Sequence, residues 1–293
     1  MKSAVLFLVF NRPDTTREVL SRIAAAKPPR LYIAADGPRK DSPGEEQRCC
    51  ETREIATKIN WPCEVKTLFR DKNLGCGRAV SEAIDWFFEH EDEGIILEDD
   101  TVPELSFFEF CEELLDYYRE DNRVWHIGGY VYKGLEGGPY SYNFTRFTHV
   151  WGWATWKRAW RHYDYSLQKF KEYRSELNDL DFFYAPELYQ DRVKLYERIL
   201  SGDLDTWDYQ WNFTVRINNG MAIRPRLNLI NNIGFNKTAT HTRTAGFGPS
   251  APSEIDLPLE HPRMVAYNKS RDLQYVNKYL LNKKPRRKLF GLF

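Results

Sequence analysis

Three carboxylates stand in a row where an apolar run ends: Gly94-Ile95-Ile96-Leu97 leads directly into Glu98-Asp99-Asp100. Like charges this close raise one another's pKa and are costly unless something neutralises them. A hard divalent cation does so. Mg²⁺ or Mn²⁺ takes one or two carboxylates and completes its shell with oxygens such as those of a diphosphate. The plainer alternative is a solvated acidic turn. Position decides for the cation, because Asn11, Asp36 and Asp71 also follow apolar runs and would share one edge with Asp100.

The elements that must place these residues are legible in the first half. Ala4–Phe10 is a continuous apolar strand, and Asp14 is expected to cap a helix running to about Ala26. Leu31–Ala35 reads as a second strand ending at the turn Asp36-Gly37-Pro38, and a polar helix covers about Glu45–Ile59. Glu64–Phe69 is a third strand, Cys76–His90 a helix, Gly94–Leu97 a fourth strand, Leu105–Tyr118 a helix and Val124–Ile127 a short strand. Strands alternating with helices predict an α/β fold with a mostly parallel central sheet flanked by helices. Ligands bind such sheets beyond the carboxyl ends of the strands.

The second half is less regular. A Gly/Tyr-rich stretch over Gly128–Asn143 precedes the aromatic block His149–Trp156. A helical region over about Leu177–Leu200 follows, then acidic and aromatic Asp203–Trp211, a strand end at Ala222–Pro225, and a Gly/Pro/Ser-rich loop over Thr244–Pro262. The chain divides into residues 1–130 as a ligand-binding α/β half, 131–281 as a second half of the same domain, and a tail at 282–293.

Composition narrows the classes. The 293 residues carry 42 basic and 42 acidic side chains, so no global field recruits nucleic acid. The five cysteines are odd in number and form no CxxC pair, which argues against a disulfide framework or zinc site and for a reducing, cytoplasmic setting. No apolar run reaches the roughly 18 residues a membrane span needs, and Ala4–Phe10 runs into Asn11-Arg12-Pro13 without a cleavage signal. Aromatics make up 15% of the chain. Their faces suit sugar rings, and Trp151 and Trp153 could form such a platform or simply fill the core.

Leu8–Arg12, the Asp36-Gly37 turn, and Ile95–Asp100 followed by Phe107-Phe108-Glu109-Phe110 together resemble the GT-A glycosyltransferases. Among these the chain is similar to glycosyltransferase family 13, the family of N-acetylglucosaminyltransferase I, over about Ala4–Tyr130 and more loosely at Gly152-Trp153 and Trp207-Asp208. The resemblance implies an inverting, Mn²⁺- or Mg²⁺-dependent transfer from a UDP-sugar, with GlcNAc as the family's sugar, to a glycan or lipid-linked acceptor. By position it implies that Asp100 ligates the metal, that Asp99 and Glu98 orient the ribose and the metal's waters, that Asp36 accepts from uracil, and that Arg12 helps hold the nucleotide. Asp208 matches the family's catalytic base by its Trp-Asp context, with Asp205 the alternative and a helix cap the plain reading. His241 is a candidate further metal ligand or a surface histidine. Arg78 could contact diphosphate or form a helix-face salt bridge. The chain departs from family 13 at Asn73–Arg78 and in showing no membrane anchor or stem, so the expectation is a bacterial or cytosolic relative.

Two other classes share parts of this pattern. A sugar-phosphate nucleotidyltransferase needs a Gly-rich loop with an arginine after the first strand, and Asn11-Arg12-Pro13-Asp14 is not one. A non-catalytic glycan- or membrane-binding module on this scaffold would be expected to lose Asp36, Asp100 and Asp208, all of which are present. Finally, Lys283, Lys284, Arg286, Arg287 and Lys288 precede Leu289, Phe290, Leu292 and Phe293. That tail reads either as a solvated chain end or as a contact with an anionic membrane, each cation near the leaflet adding about 1 kcal/mol.

Overall fold

In a computed structural model, residues 1–178, 184–234 and 250–281 are described. The first half alternates β1 (Ala4–Val9), α1 (Pro13–Ala26), β2 (Arg30–Ala35), α2 (Glu45–Ala56), β3 (Glu64–Phe69), α3 (Cys76–His90), β4 (Glu93–Glu98), β5 (Thr101–Pro103), α4 (Leu105–Tyr117) and β6 (Val124–Gly128). The second half adds β7 (Tyr142–Thr145), β8 (Trp153–Trp156), α5 (Lys157–Trp160), α6 (Gln168–Tyr173), α7 (Pro186–Leu200), α8 (Asp208–Ile217), β9 (Met221–Pro225), β10 (Ile230–Asn232) and α9 (Lys269–Tyr275).

Eight strands form one sheet in the order β3-β2-β1-β4-β8-β6-β9-β7. β3, β2, β1, β4, β6 and β9 run one way, and β8 and β7 run against them. The expected mostly parallel sheet is therefore present, with two reversed strands contributed by the irregular half. β8 was not expected as a strand. It slides between β4 and β6, pairing Ile96 with Trp153 on one side and Ile127 with Ala154 on the other.

Every residue of β1 is buried, as a central strand covered on both faces requires. Its two-residue period sends Val5, Phe7 and Val9 toward Val19 and Ile23 of α1 and Phe107 and Leu114 of α4. Ala4, Leu6 and Leu8 face the other way, onto Ala83, Ile84 and Phe87 of α3. Gly94 is required where β4 passes under that helix, since a Cβ there would overlap the Phe87 ring. A third cluster, with Val131, Phe170, Leu188, Tyr196, Phe213 and Val276, closes the second half.

Two local expectations are corrected. Asp14 does not cap α1: Pro13 takes the first helical position, where its missing N–H costs nothing, and Arg12 is the cap residue. Asp14 instead lies in the first turn and pairs with Arg17 at 3.2 Å. The helical region before Leu200 is a 3₁₀ turn at Glu176–Asn178 followed by α7. Trp153 is fully buried, stacked on His126 and Trp207 at 5.0 and 5.6 Å between ring centres, so it fills the core and offers no sugar platform. Among the described residues no helix is long and apolar enough to cross a membrane. The tail at 282–293 and His241 lie outside the described residues.

Candidate active site

Four parallel strands deliver their carboxyl ends to one cavity of about 900 Å³, within the range of small-molecule sites. β1 brings Phe10, Asn11 and Arg12, β2 brings Asp36, β3 brings Arg70, and β4 brings Glu98, Asp99 and Asp100. Trp151, Asp205, Asn232 and Gly234 arrive from the second half.

The acidic turn is built by its own backbone. The Thr101 hydroxyl donates to the Glu98 carbonyl and accepts from the Glu98 N–H, both at 3.0 Å, which closes the turn with Asp99 and Asp100 at its corner. β5 then pairs with β10, and the Ile233 N–H reaches the Asp100 carbonyl at 2.9 Å. Gly234 lies against the Asp100 carboxylate so closely that a Cβ would overlap it. Burial and the neighbouring carboxylates push Glu98 well above the ordinary carboxylate range and raise Asp99 as well. Arg12 opposes this: its Nη1 lies 2.7 Å from Asp100 Oδ2 and 3.5 Å from Asp99 Oδ1. Among the described residues no three His, Cys, Asp or Glu side chains converge as a complete metal-ligand set. What converges is hard carboxylate oxygen, the donor type Mg²⁺ and Mn²⁺ accept when a ligand's phosphate oxygens supply the rest.

Asp36 is placed where expected, but its carboxylate is already engaged. Oδ1 accepts from the Gly37 and Leu74 N–H groups and Oδ2 from Leu74 and Gly75, at 2.9–3.1 Å. It thus anchors the Asn73–Gly75 loop, and a uracil N–H would have to share those oxygens. Arg53 reinforces the anchor, donating to the carbonyls of Asp36 and Arg70. Burial raises the Asp36 pKa and the backbone donors oppose it.

Asn11 donates to Glu45 at 2.7 Å. Glu45 is fully buried, and Arg39 holds its carboxyl down to about 2. Arg39 in turn lies 5.6 Å from the centre of the Phe10 ring. Sequence reasoning missed this Asn11–Glu45–Arg39 link. Its signal, an acidic residue at the start of a polar helix, looks like an ordinary dipole-complementing Glu.

Two expected members are absent from the cavity wall. Arg78 is exposed, its guanidinium 6.0 Å from the Tyr165 ring centre, and Asp71 is exposed beside Arg70. Arg39, Arg48 and Arg70 supply the cationic lining instead. Arg70, the first residue after β3, turns inward where Asp71, the second, was expected to.

Asp205 reaches the start of α3, where its Oδ1 accepts from the Gly77 N–H at 2.8 Å, and a Cβ on Gly75 or Gly77 would overlap it. Asp208 opens α8, and the Thr206 hydroxyl bonds its carboxylate. Burial raises the Asp208 pKa, and its charge is felt at Glu98. Asp208 does not itself line the cavity. Trp151 does, and it stacks edge-on against Tyr130 at 4.5 Å.

No protein-family model matches the sequence, and no curated protein matches it. Solved structures align at 12% identity. HddC from Yersinia pseudotuberculosis aligns over 53% of this chain and 77% of its own, with a TM-score of 0.34. TarS 1–349 from S. aureus aligns over 78% and 60% with a TM-score of 0.45, and the glycosyltransferase GlyE of Streptococcus pneumoniae over 76% and 45% with 0.33. The chain thus spans 60% of the TarS chain and 45% of the GlyE chain.

Proposed function

We propose that this chain is a glycosyltransferase taking a nucleotide-diphosphate sugar, a UDP-sugar in the leading reading, and passing the sugar with inversion to a glycan or lipid-linked acceptor. The observation that carries the reading is the convergence of the Asp36-anchored loop, Arg12 and the Glu98-Asp99-Asp100 turn on one cavity. The carboxylates fit a hard divalent cation by donor type, with Asp100 as the direct ligand and Asp99 and Glu98 beside it. Bound there, Mn²⁺ or Mg²⁺ would stabilise the leaving diphosphate as a Lewis acid.

The chain's own residues would do the rest. The apolar wall of Leu8, Val9, Ala34, Ala35, Ala79 and Val80 excludes water from the donor. Arg12, with Arg39, Arg48 and Arg70 around the same cavity, offers forked donors to phosphate oxygens. Trp151 gives a ring face to the sugar. Asp208 takes the acceptor hydroxyl's proton, and its raised pKa brings it closer to the range of an efficient base. The basic, apolar-ended tail would hold the protein on an anionic inner-membrane face, where a lipid-linked acceptor is presented.

A thermal-shift panel of nucleotide-diphosphate sugars with and without Mn²⁺, followed by transfer assays with the best stabiliser, tests the reading. Stabilisation by UDP-sugars that depends on Mn²⁺ is expected. If no nucleotide-diphosphate sugar stabilises the protein under either condition, the reading is wrong.

A further inference from the structure

The guanidinium of Arg12 already sits where a cation would bind. Its Nη1 is 2.7 Å from Asp100 Oδ2 and 3.5 Å from Asp99 Oδ1, and all three side chains are largely shielded from solvent, at 27%, 18% and 10% exposure. Charge-assisted bonds of that length are among the strong ones, and water screens this pair weakly. Shielded carboxylates need an opposite charge beside them, and Arg12 is placed to be that charge for Asp100 and Asp99 whenever no ligand is bound.

We infer that Arg12 is the resting counter-ion of the acidic turn, and that a divalent cation gains Asp100 only as the donor's diphosphate draws the guanidinium away. This rests on the proposed function and deepens it, because it fixes how donor and metal depend on one another. Two cations cannot both lie close to one carboxylate pair without repelling. A diphosphate removes the conflict: its oxygens complete the metal's shell and give the planar Arg12 fork a bidentate partner. Among the described residues no three His, Cys, Asp or Glu side chains are arranged to hold a metal on their own and so outbid the arginine. Metal and donor therefore bind with positive coupling, and by linkage each strengthens the other by the same factor. Position makes the exchange short. Arg12 is the residue at which β1 gives way to α1, next to Asn11 and Phe10 on the cavity wall. The exchange asks only for a rotation of the Arg12 side chain from the acidic turn into the cavity that Arg12 already lines.

The test measures Mn²⁺ binding, by paramagnetic resonance of the free ion, to the wild type, Arg12→Gln and Arg12→Lys, each with and without UDP. Wild type is expected to bind Mn²⁺ weakly alone and at least about tenfold more tightly with UDP, a coupling of ordinary size. Arg12→Gln should bind Mn²⁺ alone about tenfold more tightly than wild type and lose most of the UDP enhancement. Arg12→Lys keeps a cation but not the fork, so it should match wild type for Mn²⁺ alone and lose part of the UDP enhancement. If Arg12→Gln folds only when Mn²⁺ is present, followed by circular dichroism, the counter-ion role is supported in the same way. Unchanged Mn²⁺ affinity in Arg12→Gln, with wild-type UDP enhancement intact, overturns the inference and leaves the transferase reading standing. Absence of Mn²⁺ binding in all three proteins, with and without UDP, overturns both the inference and the metal role assigned to Asp100.

Discussion

Asp100 is a loop-corner side chain whose neighbours are a guanidinium and a glycine, so it carries little packing. Asp100→Ala should leave the fold intact and abolish the calorimetric signal of UDP binding with Mn²⁺; parent-like binding would remove Asp100 from the metal role. Asp208→Asn keeps the shape of the side chain but cannot accept a proton. It should retain donor affinity and lose turnover by about 10²-fold or more, the scale of a missing general base. Steady-state kinetics beside donor titration decide this. Near-normal turnover, joined to a loss in Asp205→Asn, would transfer the role to Asp205, which lines the cavity directly. At this scale Asn11, Asp36 and the acidic turn were legible because each directly follows an apolar run, whereas Arg12 was named only through the family resemblance. It could not show that Asp36 is saturated by backbone donors, or that Arg78 turns outward to Tyr165. Side-chain direction at a loop depends on the loop opposite, and that neighbour is brought in by the sheet.

Among the elements, α2 is fixed to β1 through one buried carboxylate. Glu45 is depressed to about 2 from its ordinary value by Arg39, with Asn11 adding a bond. A group whose folded pKa is depressed contributes stability that is present above its unfolded pKa and lost as pH falls toward the folded one. Acidification from roughly 4.5 to 2 should therefore weaken the protein, and Glu45→Gln should flatten that part of the profile. Urea midpoints across this range in both proteins measure it; parallel curves would show that Glu45 takes no part. The elements of the first half were legible because strand and helix periods alternate cleanly. β3 and α3 fall on the expected residues, and β2 and β4 differ by a residue or so at their ends. The second half hid β8, since Trp153, Ala154, Thr155 and Trp156 are all buried and show no alternation of polar and apolar residues. β7 and β10 were missed for a related reason: three or four residues are too few for a period to be seen.

At the level of the whole molecule, the two halves suggested by the sequence share one sheet. β7, β8 and β9 all come from beyond residue 130, and β8 is the partner of both β4 and β6. A fragment ending at residue 130 is thus expected to show no cooperative melting by circular dichroism, whereas the full chain melts in one transition; an independently folding fragment would contradict this. The same threading sets a clock during synthesis. About 55 residues separate Glu98 from Trp153, so at roughly 5–20 residues per second the edge of Gly94, Ile95 and Ile96 waits about 3–11 s for its neighbour. During that interval the nascent chain presents the open edge of β4, whose other edge pairs with β1, to any other nascent chain nearby. Synonymous slow codons placed between positions 98 and 153 should then lower the soluble yield without altering a single amino acid, while the same codons placed after position 232 should not.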